Sequence, residues 1–100
     1  NRPLSRGFPS DRYRETFDRD LDAIVTGFRP DFAVVSCGFD SHRLDPLGGL
    51  RLEDEDFAFL TRAVVSRMPR GRVISALEGG YNLGVLGPAA VAHASALLVS

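Results

Sequence analysis

The sequence predicts an α/β chain with a parallel sheet, in the order α-β-α-β-α, and three observations predict it. Two short apolar runs, Phe32–Cys37 and Val73–Leu77, are too short for helices and too evenly apolar for half-exposed strands, which suits interior parallel strands. A stretch with helical spacing separates them, long enough for the crossover that parallel strands need. Each run also ends in glycine and a polar residue, Gly38-Phe39-Asp40 after the first and Glu78-Gly79-Gly80-Tyr81 after the second.

After a loop-like opening, Asn1 to Gly7, Ser10 or Asp11 is placed to cap a helix. Its apolar positions Tyr13, Phe17, Leu21, Ile24, Val25 and Phe28 recur at spacings of three and four. Gly27 and Pro30 are expected to stop it ahead of the first strand. The segment from Gly38 to Leu52 is rich in Gly, Pro and Asp and reads as a loop. Asp54, Glu55 and Asp56 then set acids in the first turn of a second helix, where they complement its dipole. Phe57, Leu60, Val64 and Met68 form its expected core face. Pro69 and Gly71 close it, Val73–Leu77 form the second strand, and Gly87-Pro88 is expected to open a last helix whose core face is Val91, Ala94, Leu97 and Leu98. The strand-helix-strand order implies a right-handed crossover, so both loops open on one side of the sheet.

Composition narrows the function classes. The 100 residues are 44% hydrophobic and 25% charged, ordinary values for a packed chain that would bury roughly 65% of its unfolded surface. A formal net charge of -1 gives no long-range attraction to nucleic acid or anionic lipid, and no apolar run approaches the ~20 residues of a membrane span. One cysteine makes no internal disulfide, so a reducing, cytoplasmic setting is expected. All 12 basic residues are arginine, and without lysine the Glu78-Gly79-Gly80 turn is no P-loop. A flavodoxin-like nucleotide binder loses its main support on the same ground.

Ligands of open parallel sheets bind beyond the carboxyl ends of the strands, which is where Asp40 and Tyr81 fall. From the residues alone, Asp40 reads as a metal ligand, a general base, an orienting acid or an Asx-turn residue. Tyr81, after two glycines that let the backbone turn sharply, reads as a hydrogen-bond donor to a developing oxyanion or as an aromatic plug of the sheet end. His42 reads as a surface or hydrogen-bonding residue, His93 as structural, and Cys37 as a small buried residue rather than a nucleophile. Asp45, Pro46 and Gly48-Gly49 look like loop architecture, with Leu47 free to present an apolar wall.

Taken in order, Gly38-Phe39-Asp40-Ser41-His42-Arg43-Leu44-Asp45-Pro46-Leu47-Gly48-Gly49 and Leu77-Glu78-Gly79-Gly80-Tyr81-Asn82-Leu83 closely resemble the zinc-dependent histone deacetylase and acetylpolyamine amidohydrolase superfamily. Asn1-Arg2-Pro3-Leu4 with Gly7, the Tyr13/Phe17 helix and Arg29-Pro30-Asp31 are similar to the same family's carboxyl-terminal third, so the resemblance covers essentially residues 1–100. It implies part of a three-layer, parallel-sheet arginase/deacetylase-like fold, with these residues forming the carboxyl-terminal portion of one catalytic domain. It makes Asp40 a zinc ligand, Tyr81 the catalytic phenol that polarises the acetyl carbonyl, and Leu47, Gly79 and Gly80 part of the substrate channel. The implied reaction is hydrolysis of the amide of acetyl-lysine or a related acylated amine (an acetylpolyamine or a small metabolite) by water activated on Zn2+.

The family's paired histidines and its Asp-x-His zinc ligands match nothing here, neither His42 nor His93. The isolated chain is therefore expected to be inactive and the longer parent to be the enzyme. The competing expectation is a non-catalytic, deacetylase-like binding domain. A half-sheet with open faces is further expected to self-associate.

Overall fold

The computed structural model describes residues 1–98, which form helix α1 (Ser10–Phe28), strand β1 (Ala33–Cys37), helix α2 (Asp54–Ser66), strand β2 (Val73–Leu77) and helix α3 (Leu83–Leu98). The predicted order holds. The two strands pair in parallel with Ala33 opposite Val73 and Cys37 opposite Leu77, so both chains leave the sheet at the same edge.

The centre lies between α2, α3 and the sheet end, where Phe39, Leu52, Phe57 and Ala89 are buried together. Phe39 meets Phe57 edge-to-face, ring centroids 5.0 Å apart, and His42 stacks on the other side of Phe57 at 6.3 Å. Tyr13, Leu60, Leu86 and Ala90 close around them. Helix α2 begins where its acids predict, since the Asp56 carboxylate accepts the Glu53 backbone N–H at 2.8 Å and an Arg14 hydrogen bond from α1. One side chain thus caps α2 and ties α1 to it.

Several expectations give way to tertiary structure. Helix α1 starts at Ser10 after Pro9, and no side chain caps it. It ends at Phe28, with Arg29 in the left-handed region (φ 55°) and its N–H on the Val25 carbonyl, so Gly27 stays helical. Its apolar stripe is only half-covered, Ile24 and Phe28 being exposed. The first strand begins at Ala33, because Phe32 lies at the surface ahead of the ladder.

Helix α3 opens at Leu83, ahead of Gly87-Pro88. Asn82 accepts the Gly84 N–H on its side-chain oxygen at 2.9 Å, and its carbonyl takes the amides of Val85 and Leu86. That cap outweighs two glycines and an internal proline, since Pro88 forfeits only the bond its amide would have made to the Gly84 carbonyl. The buried face of α3 is also different from the expected one: Ala89, His93 and Ala96 are inside, with Val91, Ala94 and Leu98 exposed. A helix apolar all round does not declare its face by periodicity, and alanines allow the closest approach to α2.

The strands are not buried on both sides among the described residues. Burial alternates along β1, with Val34 and Ser36 exposed, and Ile74 and Ala76 continue the same uncovered face on β2. The opposite face carries Val35, Cys37, Val73 and Ser75 towards α3, where His93 accepts or donates to Ser75 Oγ at 2.7 Å. The uniform apolarity of the two runs is that of strands with two apolar neighbours, and the described residues supply one.

Candidate functional site

The ladder continues past the strands and fixes the rim. Glu78 N–H donates to the Cys37 carbonyl at 3.0 Å and Phe39 N–H to the Gly79 carbonyl at 2.9 Å, so residues 38–40 and 78–80 run side by side beyond the sheet. Asp40 and the Gly79-Gly80 turn are thereby adjacent, as the two strand ends suggested.

The Asp40 carboxylate lies flat against the Gly79 backbone. A methyl group on Gly79 would stand 2.9 Å from Asp40 Cγ, 2.9 Å from Oδ2 and 3.0 Å from Oδ1, and one on Gly38 would stand 2.7 Å from Oδ1. Two glycines thus form a cradle that any side chain would fill. No amide or side chain among the hydrogen bonds of the described residues donates to the Asp40 oxygens. A half-buried carboxylate without such a partner is a free oxygen donor, and it fits one position of a mixed metal site. Among the described residues no group of three His, Cys, Asp or Glu side chains is gathered for a metal ion.

Gly80 carries φ 138°, a conformation that disfavours any side chain, and a methyl group there would meet Leu86 Cδ1 at 2.8 Å and Phe39 Cβ at 3.2 Å. The turn therefore packs directly on Phe39, the residue before Asp40, and delivers Tyr81 to the same rim. Tyr81 is 54% exposed and Leu47, on the facing loop, 71%. Within the described residues the rim is an open shelf rather than a tube. One cleft of about 500 Å³ lies between the opening segment and α1, and another of about 540 Å³ runs along the loop, lined by Arg6, Arg43, Asp45, Gly48, Arg51 and Glu53.

Sequence reasoning passed over Asp45 as loop architecture. Its side chain is buried: Oδ1 accepts the Leu47 N–H at 2.8 Å and the Gly48 N–H at 3.0 Å, while Oδ2 accepts the Tyr81 N–H at 2.8 Å. Burial opposes its ionisation, but the amides of Tyr81, Leu47, Gly48 and Asn82 outweigh that and hold the carboxyl below its ordinary value. Nearby, Asn82 Nδ2 donates to the Leu44 carbonyl at 2.8 Å, a second tie between the loop and the start of α3. The visible signal was an acid ahead of Pro46 and two glycines, which marks a turn without naming its long-range partner.

Both histidines are engaged. His42 is buried, its Nδ1 accepts the Leu44 N–H at 3.1 Å, and its Nε2 faces Asp54 Oδ1 at 3.5 Å. It staples the loop over Phe57, which is more than a surface role. His93 lies between Thr61 Oγ1 (2.6 Å from Nδ1) and Ser75 Oγ (2.7 Å from Nε2), and burial pushes its pKa down. Thr61 also donates to the Phe57 carbonyl at 2.7 Å, so a neutral ring with the proton on Nδ1 completes the chain of bonds. Cys37 is a half-buried thiol whose pKa is raised by burial, against a weaker opposing bond to Ser75, and so stays protonated.

Comparison with known proteins places this geometry. The family profile described as "Histone deacetylase domain" matches residues 1–97. The chain is 36% identical over 100 residues to type-2 histone deacetylase 1 of Dictyostelium discoideum, covering 97% of itself and 7% of that protein. It is 33% identical over 86 residues to a probable deacetylase of Archaeoglobus fulgidus, covering 83% of itself and 24% of the relative. Among solved structures, the HDA15 HD domain superposes with a TM-score of 0.87 at 31% identity, over 96% of this chain and 27% of that one. The acetylpolyamine aminohydrolase of Burkholderia pseudomallei superposes with a TM-score of 0.85 at 26% identity, over 97% of this chain and 28% of the other. The hundred residues therefore span between 7% and 28% of the four proteins named, and their fold is the arginase/deacetylase-like one of those neighbours.

Proposed function

The chain belongs to the histone deacetylase domain family, and on that footing we propose that it forms the carboxyl-terminal portion of the catalytic domain of a zinc-dependent amide hydrolase. The substrate is an acetylated amine, acetyl-lysine or a related acylated amine. The observation that carries this reading is the Asp40 carboxylate, without a hydrogen bond among the described residues and cradled by Gly38 and by Gly79, which lies two residues before Tyr81.

Zinc bound at such a site would polarise the amide carbonyl and supply a water-derived nucleophile at neutral pH. The chain's own contribution is positional. Asp40 offers one anionic oxygen ligand. Tyr81, beside it, presents a phenol to the oxygen of the scissile carbonyl, where a hydrogen bond strengthens as negative charge develops. Leu47 and the Gly79-Gly80 backbone flank the approach of the acyl chain. His93 has both ring nitrogens hydrogen-bonded and His42 is buried with Nδ1 on the Leu44 N–H, so proton transfer and the other metal ligands fall to residues outside these hundred. The uncovered apolar face of the sheet supports self-association of the chain on its own; a sedimentation profile of a single monomeric species would refute it. No helix of the described residues is long and apolar enough to cross a membrane, and a reducing compartment such as the cytoplasm suits its lone thiol.

The test is a chimera in which residues 1–97 replace the matching segment of the Burkholderia pseudomallei acetylpolyamine aminohydrolase, loaded with zinc and assayed for acetate release. Asp40→Ala is expected to lower activity by more than about 100-fold, beyond what losing an outer-shell contact costs. Tyr81→Phe is expected to lower kcat by about 100- to 1,000-fold, as loss of an oxyanion donor does. A folded chimera whose activity survives both substitutions refutes the assignment, and one that binds zinc yet releases no acetate returns the chain to a binding role.

A further inference from the structure

The bonds that tie the segment 78–82 across to the other strand end run to the stretch 37–45. Glu78 N–H reaches the Cys37 carbonyl, the Gly79 carbonyl takes the Phe39 N–H, and Asn82 Nδ2 reaches the Leu44 carbonyl. The bond at Tyr81 is of another kind, because its amide donates to a buried carboxylate, Asp45 Oδ2, at 2.8 Å. The other oxygen of that carboxylate holds the Leu47 and Gly48 amides at 2.8 and 3.0 Å. One rigid, planar group therefore spans from the backbone of Tyr81 to the turn that carries Leu47.

We propose that Asp45 is a positioning residue, which holds the backbone of Tyr81 in fixed register with the Leu47 turn so that the phenol meets a carbonyl delivered along that wall. This rests on the reading of Tyr81 as the donor to the substrate carbonyl. Among the described residues no other hydrogen bond holds Tyr81, which follows Gly80 at φ 138°, precedes the first residues of α3 and is more than half exposed. A carboxylate suits the place for a definite reason. Three amides converge on its two oxygens, and charge-assisted bonds to amides are shorter and stronger than neutral ones. Asparagine offers one acceptor oxygen and one NH2 donor, so it can serve Leu47 and Gly48 or Tyr81, but not both. Alanine serves neither.

Two measurements test this. In the hundred-residue chain, amide hydrogen exchange reads the tether itself. Asp45→Ala should speed exchange at Tyr81, Leu47 and Gly48 by about tenfold or more, the loss of bonds to a charged acceptor, while the ladder amides of Val35 and Ser75 hold. Asp45→Asn should release one side only. In the zinc-loaded chimera, Asp45→Asn should lower kcat per folded molecule by about tenfold or more with KM within about threefold, a loss felt chiefly in the transition state. A purely structural part would shrink the folded fraction and leave kcat per folded molecule unchanged.

Unchanged exchange at Tyr81 in Asp45→Ala, or unchanged kcat per folded molecule in Asp45→Asn, overturns the proposal. Tyr81→Phe in the same chimera separates the two layers. If it leaves kcat intact, the catalytic reading of Tyr81 falls and Asp45's part in the reaction falls with it, whatever the exchange data say of the tether.

Discussion

Replacing Gly79 with alanine offers a sharp way to divide function from stability at this rim. The new methyl would stand 2.9–3.0 Å from the three terminal atoms of Asp40, whereas ordinary contact begins near 3.4 Å. The carboxylate must retreat by about 0.5 Å, the difference between 3.4 and 2.9 Å. No hydrogen bond opposes that retreat, so its cost is that of an off-rotamer side chain, about 0.5–1.5 kcal/mol. Alanine also stiffens the unfolded chain and returns about 0.4–1 kcal/mol. The net change lies within about 1 kcal/mol, which moves the melting temperature of a domain this size by no more than about 4–8 °C.

Metal ligation has no such slack, because ligand distances hold to about ±0.2 Å. Zinc affinity of the chimera, measured by competition with a chromophoric chelator, should therefore fall by at least about tenfold, with acetate release falling alongside. Gly80→Ala is the opposite case. It strains a backbone at φ 138° and drives a methyl against Leu86 and Phe39, so about 1–3 kcal/mol of stability should go, with a smaller effect on zinc. If Gly79→Ala keeps full zinc affinity, or loses as much stability as Gly80→Ala, the reasoning that places Asp40 against Gly79 as a ligand is wrong.

The packing centre and the buried titrating groups make two further predictions. Phe57→Ala removes the ring between Phe39 and His42 and should cost about 3–5 kcal/mol, enough to unfold much of a chain this small; a urea midpoint close to the parent's would show that the loop does not depend on that stack. Stability should also decline in two steps on acidification. His93 has a lowered folded pKa, so the unfolded chain takes up its proton first and stability erodes as pH falls below about 6.5. Asp45 is likewise depressed in the fold, so its contribution is complete above about pH 3.9 and disappears as pH drops through its lower folded value. Urea midpoints across pH 8 to 3, with His93→Gln removing the first step and Asp45→Asn the second, check this, and a flat profile between pH 7 and 5 in the parent would contradict the placement of His93.

Whatever depends on neighbours along the chain is legible in the order of the amino acids. Two apolar runs closed by Gly38 and Gly79 set the strands and their polar ends, acids at Asp54 to Asp56 set the start of α2, and the spacing of Asp40 and Tyr81 within their motifs carried the family. Periodicity, glycine and proline act within a turn or two, so they can be read locally. Packing settled which face of α3 turns inward, because an apolar helix with alanine on several sides takes its orientation from its partner. It also decided that Asn82 rather than Gly87-Pro88 begins that helix, since the cap's amide is held by Leu44 across the loop. His42 became a buried staple and Asp45 a bond to Tyr81 for a common reason: their partners stand 15 and 36 residues away, 42 to 57 and 45 to 81, so the ring stack exists only once the loop packs on α2 and the hydrogen bond only once the strands bring the two loops to one edge.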